Sequence, residues 1–196
     1  SLVRTRAGHL YAWDEGSNAG EGDIPVGAGP SGQCTNAVNE PGVTQSDSLH
    51  LISGQGYYAG HPNPTRGNMS NTFNTTTPQS PVPAANPVEC DARTPATDGS
   101  IASLSTPTMG MAEYTTMNFN GQLNGDLITA GWHGAVYRVH LNPAGTGVVS
   151  TDVLFSNLSP HPIDIEAQGA GDAYPGTIWV PDFSSGSISV LEPADF

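Results

Sequence analysis

The stretch GDLITAGWHGAVYRV, Gly125 to Val139, decides the fold. It holds two short runs rich in β-branched and aromatic residues, Asp126-Leu127-Ile128-Thr129-Ala130 and, continued past its end, Ala135-Val136-Tyr137-Arg138-Val139-His140-Leu141. A glycine-containing turn separates them, which is the pattern of two adjoining strands. The same design returns at GTIWVPDFSSGSISVL, Gly176 to Leu191. Gly125-Asp126-Leu127-Ile128 parallels Gly176-Thr177-Ile178-Trp179, and Gly134-Ala135-Val136-Tyr137-Arg138-Val139 parallels Gly186-Ser187-Ile188-Ser189-Val190-Leu191. The period is about fifty residues, within the range of sequence repeats that build arrays and propellers. Gly8-His9-Leu10-Tyr11-Ala12-Trp13 resembles the second of these strands a third time.

Working outward, further strand signals lie at Glu113 to Phe119, Val149 to Phe155 and Ile163 to Ala167, with a hairpin signal at Leu2 to Trp13. Repeats of four short strands are the signature of a β-propeller, in which each blade buries its faces only against its neighbours. An immunoglobulin-like sandwich competes with this reading, but it does not predict a glycine recurring before the second strand of each pair. The expected fold is therefore all-β, a partial β-propeller carrying a long loop elaboration. The β segments make two to three blades, whereas closure takes at least about four. Residues outside this sequence, another chain, or a different repeat count must account for the difference.

Composition agrees with β structure. Gly 24 and Pro 17 are high among 196 residues, and long runs of strong helix formers are rare. The chain divides into 1–23, propeller strands and an acidic turn; 24–112, a loop-rich elaboration of the same domain; and 113–196, propeller blades. Lysine is absent and the formal charge is −13, a surface that repels nucleic acid and anionic membranes and suits an extracellular, calcium-rich or saline setting. No stretch reaches transmembrane length. The chain begins at Ser1 without an initiator Met or a leader-like segment, so it reads as a processed or excerpted product.

Cys34 and Cys90 are the two cysteines. An even count within one loop-rich region makes a disulfide the economical expectation; the alternative is two buried thiols of a cytosolic protein. Closing a loop of that size contributes on the order of 4 kcal/mol in the chain-entropy description. The loop would surround Leu49 to Asn68, where Tyr57 and Tyr58 lead into His61-Pro62-Asn63-Pro64-Thr65-Arg66. Two prolines stiffen that hexapeptide and fix the directions of His61 and Arg66. Tyr57, Tyr58, His61, Asn63 and Arg66 are accordingly the candidate ligand-binding residues, against the plainer reading of a rigid lid. Three N-glycosylation sequons begin at Asn68, Asn74 and Asn157, a pattern that arises easily by chance in Asn- and Thr-rich loops.

Asp14 to Asp23, DEGSNAGEGD, gathers four carboxylates and an Asn among glycines. Small residues let the backbone fold tightly so that oxygens converge, as Ca²⁺ requires, although the spacing is not that of an EF-hand. The candidate metal ligands are Asp14, Glu15, Asn18, Asp23 and Glu40. Asp164 and Glu166, two apart on an expected strand, share a face, an arrangement open to paired-carboxylate hydrolysis; adjacent carboxylates on a blade are usually solvated.

These motifs carry a resemblance. Leu10-Tyr11-Ala12-Trp13-Asp14-Glu15-Gly16-Ser17-Asn18-Ala19-Gly20, Cys34-Thr35-Asn36, Asn39-Glu40-Pro41-Gly42, Asp47-Ser48-Leu49-His50, Gly60-His61-Pro62-Asn63-Pro64-Thr65-Arg66 and Gly176-Thr177-Ile178-Trp179-Val180 together resemble secreted bacterial six-bladed propellers related to soluble glucose/sorbosone dehydrogenases. The resemblance spans most of the chain but only the later blades. It implies calcium at the acidic turn, with Asp14, Glu15 and Asn18 foremost. Its catalytic members use pyrroloquinoline quinone and a general-base His, whereas animal relatives bind a signalling protein without catalysis. That His belongs to an early blade and has no counterpart here; His50, His61 and His133 are the substitutes the sequence offers. Two functions follow as expectations. One is an extracellular, calcium-stabilised propeller segment acting in surface binding, adhesion or assembly, with a carbohydrate as a possible ligand. The other is a quinoprotein-type sugar dehydrogenase whose catalytic half lies outside this chain. In either case the propeller is completed by its own remainder, another copy or another chain.

Overall fold

Strand-forming runs punctuated by glycine dictate antiparallel meanders, and that is what the computed structural model shows over the residues it describes, 1–15, 46–54, 57 and 99–194. The strands are β1 (Leu2–Arg4), β2 (Leu10–Asp14), β3 (Asp47–Leu51), β4 (Ala102–Leu104), β5 (Thr108–Glu113), β6 (Leu127–Gly131), β7 (Ala135–Leu141), β8 (Val148–Phe155), β9 (Glu166–Ala167), β10 (Ile178–Pro181) and β11 (Ile188–Leu191). A 3-10 turn at Phe119–Gly121 is the sole helical element among the described residues. The fold is all-β.

Two units emerge, Ser1–Trp13 with Leu104–Phe196, and Asp14–Ser103. In the second unit β3 lies beside β4, and the N–H of Ile101 donates to the carbonyl of Leu49 at 2.7 Å. The first unit contains the hairpin β1–β2 and two meanders, β5-β6-β7-β8 and β9-β10-β11.

The second meander repeats the first at three matched backbone hydrogen bonds, though it has three strands where the first has four. Tyr114 N–H donates to Asp126 O at 2.9 Å and Gly125 N–H to Tyr114 O at 2.8 Å; Gln168 N–H donates to Thr177 O and Gly176 N–H to Gln168 O, both at 2.9 Å. At the far end of the strands, Trp132 N–H to Pro107 O is matched by Phe183 N–H to His161 O, each 2.9 Å. The recurring glycines have a backbone cause. Gly125 and Gly176 take φ +87° and +80°, Gly134 and Gly186 take +86° and +63°, and Gly8 in the β1–β2 turn takes +88°. Only glycine enters that region without steric cost.

Each meander leaves an apolar face that the next one covers. Ile128, Ala130 and Val136 of the first pack with Ile165, Ala167, Ile178 and Val180 of the second, joined by Ala112, Tyr114 and Leu123. Ile128, Val136, Ile178 and Val180 are wholly buried, each contributing about 1.5–3 kcal/mol of transfer free energy. The Tyr114 hydroxyl donates to Gly176 O at 2.8 Å and ties the two copies together. No ring of blades closes among the described residues.

The strand expected over Glu113 to Phe119 is displaced. β5 ends at Glu113, and the chain then turns, with Phe119 and Asn120 at φ +54° and +55°. The Asn/Gly-rich run after Met117 supplies turn chemistry that outweighs the β-propensity of Tyr114, Thr115 and Thr116. Phe119 packs edge-on against Tyr114, ring centroids 5.7 Å apart.

Candidate functional site

The first unit carries a cleft of about 400 Å³ where the N-terminal end of β6 meets the C-terminal end of β7, with β2 and the end of β5 opposite. His9, Tyr11, Glu113, Asn124, Asp126 and His140 are among its walls. Strand alternation explains the wall on β7. Arg138 and His140 are two apart and point to one face, and Asp126 precedes β6, whose partner in the ladder is β7.

Asp126 is 3% exposed and fully engaged. It accepts Arg138 Nε at 2.6 Å, the Leu141 N–H at 3.2 Å and lies 2.9 Å from His140 Nδ1. Arg138 Nη2 donates to Gln122 O at 2.8 Å. Arg138 Nη2 also stands 3.1 Å from His140 Nδ1, so the carboxylate, the guanidinium and the imidazole form one hydrogen-bonded cluster. The neighbouring meander does without the Asp–Arg pair. In the matched ladders Asp126 corresponds to Thr177, Arg138 to Val190 and His140 to Glu192. Thr177 satisfies its turn locally, donating to Tyr174 O and accepting from Trp179 Nε1, both at 2.7 Å.

Glu113 forms the opposite wall. Its side chain is 10% exposed, and Arg6 meets it through its N–H at 2.6 Å and through Nε at 3.5 Å. Tyr11, wholly buried, donates its hydroxyl to the Gly145 carbonyl, which holds the β7–β8 loop against β2. Burial first and the Glu113 charge second push the Tyr11 phenol up. His9 lies tilted against Tyr11, centroids 6.1 Å apart.

The residues expected from sequence fall elsewhere. In the second unit Tyr57 meets His50, its hydroxyl 2.8 Å from Nδ1 and the rings edge to face. Asp14 ends β2 and Glu15 follows it, exposed; both carry the hard oxygen donors Ca²⁺ takes. Tyr58, His61, Asn63, Arg66, Asn18, Asp23, Glu40, Cys34 and Cys90 lie outside the described residues. Among the described residues no group of three or more His, Cys, Asp or Glu is placed to hold a metal ion. His133 is exposed on the β6–β7 turn. Asp164 and Glu166 are both exposed, and partial burial, then Asp164 and Asp172, raise the Glu166 pKa.

Sequence reading passed over His9, Tyr11, Glu113, Asp126, Arg138 and His140 as site residues. The usable signal was the mismatch between repeats, Asp126 against Thr177 and Arg138 against Val190. No helix among the described residues is long and apolar enough to cross a membrane. Comparison of the chain with protein-family models and with curated proteins gives no match to either.

Proposed function

We propose that the chain is part of an extracellular β-propeller that works by binding, as a calcium-stabilised module in surface attachment, adhesion or assembly. The observation that supports this most is the recurrence of matched backbone hydrogen bonds from one meander to the next. Meanders stacked face to face are the building principle of propeller blades. The cleft favours recognition over chemistry. Tyr11 has committed its hydroxyl to Gly145 O, and Asp126 spends its acceptor capacity on Arg138, His140 and Leu141.

Asp14 and Glu15, with Asn18, Asp23 and Glu40, are the residues proposed to hold calcium. Thermal unfolding in excess Ca²⁺ and in excess chelator tests that part: a higher midpoint with the metal is expected, and superimposable curves remove calcium from the account. Antibody raised against the chain should label intact producing cells or their medium. Labelling obtained only after lysis would overturn the extracellular assignment.

A further inference from the structure

Glu113 is a carboxylate that is nine-tenths buried on a cleft wall yet incompletely neutralised. Oε2 accepts the Arg6 N–H at 2.6 Å, while Oε1 stands 3.5 Å from Nε of a guanidinium whose own side chain is 56% exposed. That separation is beyond a good hydrogen bond, and a solvated ion pair of this kind is worth little. Asp126, by contrast, is saturated by Arg138, His140 and the Leu141 N–H. Of the two carboxylates lining the cleft, Glu113 is therefore the one with the looser, more solvated charge partner.

We propose that this cleft binds an organic cation carrying a primary ammonium, such as a diamine or a lysine side chain. The proposal rests on reading the chain as a binding module. An ammonium offers three donors and no acceptor, matching the loosely held Glu113 Oε1. Glu113 Oε1 takes the charge. Asn124, whose Nδ2 is given to Thr116 O at 3.0 Å, turns its Oδ1 to the other side of the amide. The half-buried His9 ring supplies a face for the methylene stem. The volume of about 400 Å³ accommodates a short diamine. The whole molecule favours the encounter, since the formal charge is −13 and lysine is absent, so the field draws cations and repels anions. A neutral polyol of the same length would leave the Glu113 charge without a partner.

Titration of the full chain with 1,4-diaminobutane, 1,4-butanediol and succinate at low salt, read by calorimetry and by the imidazole NMR signals of His9 and His140, tests the assignment. Saturable binding of the diamine that moves both imidazole signals is expected, with the diol and the diacid at least tenfold weaker. Glu113→Gln should weaken the diamine at least tenfold, or about 1.4 kcal/mol, while Ser150→Ala on the outer strand leaves it unchanged. If Glu113→Gln does not fold, Asn124→Ala takes its place with a loss of severalfold expected. Diol binding as tight as the diamine, diamine binding that spares the two imidazoles, no binding, or full affinity in the folded cleft variant would each overturn the proposal. The calcium and surface-labelling tests read the binding-module assignment independently of these outcomes.

Discussion

Gly134 shows how one missing side chain sets a corner of the fold. Its φ is +86°, and a Cβ built there would stand 2.2 Å from the carbonyl oxygen of Ser159. A backbone oxygen cannot swing aside as a flexible side chain can, and the Gly134 carbonyl is itself held by the Leu158 N–H at 2.9 Å. Gly125 has nearly the same φ, +87°, but nothing within 4 Å of its would-be Cβ. Gly125→Ala should therefore cost about 1–2 kcal/mol for left-handed backbone alone. Gly134→Ala should cost a further 1–3 kcal/mol or so for the clash, a difference that denaturant unfolding of the two variants resolves.

Asp182, in the β10–β11 turn at the tip of the second meander, is a second residue with a defined effect. Burial would push its pKa up, but N–H donors of His161 and Ser185 and the side chains of Ser184 and Ser185 outweigh it and leave the carboxyl well below the usual range. A carboxyl depressed in the folded state stabilises above its unfolded pKa, near 4, and loses that contribution as pH falls through the folded value. Asp182→Asn should lower the thermal midpoint most at neutral pH. The gap to the parent should narrow as the pH drops below about 4. A gap that stays constant with pH would show that the carboxylate's charge is not what the turn depends on.

Among the elements, β6 and β7 do most to join structure to function. All five residues of β6 are buried, so it is covered on both faces, and its hydrogen-bonded partner β7 places Arg138 and His140 beside Asp126. Removing the acceptor leaves a partly buried guanidinium and the Leu141 N–H without it. Asp126→Ala should destabilise by about 3 kcal/mol. The double variant Asp126→Ala with Arg138→Leu should regain part of that loss, because the orphaned charge goes with its partner. Equilibrium unfolding of the single and double variants checks the coupling. At this scale much was legible in sequence. Period-two alternation located β2, β6, β7, β8, β10 and β11 within a residue or so at each end. β5 was placed too late because its start lies among prolines and glycines, and because Tyr114 to Phe119 has strand-like composition in a turn. The Asp126 cluster was not legible as a site, since a charged residue before a strand usually reads as solvated.

For the whole molecule, the two meanders share one core. Ile178 of β10 is wholly buried in the cluster with Ile128, Ala130 and Val136. Ile178→Ala should cost about 2–5 kcal/mol. Hydrogen exchange should then lose protection in β6 and β10 together, since neither meander buries its apolar face alone. Loss confined to β9–β11 would mean that the two copies are independent folding units.

The amino-acid sequence by itself determined the all-β class, the repeat and its corner glycines, because a side-chain period of two and positive-φ turns are properties of a few neighbouring residues. It also set the acidic, lysine-free surface. Only the tertiary structure decided that Glu113, Tyr11, His9, Asp126 and His140 share one cleft. These residues come from the β1–β2 connection, β2, the end of β5, the turn before β6 and β7, and no local pattern records which distant strands lie side by side. The strain-free fit of Gly134 against Ser159 and the neutralisation of Asp126 by Arg138 are likewise distances between segments, fixed only once the meanders pack.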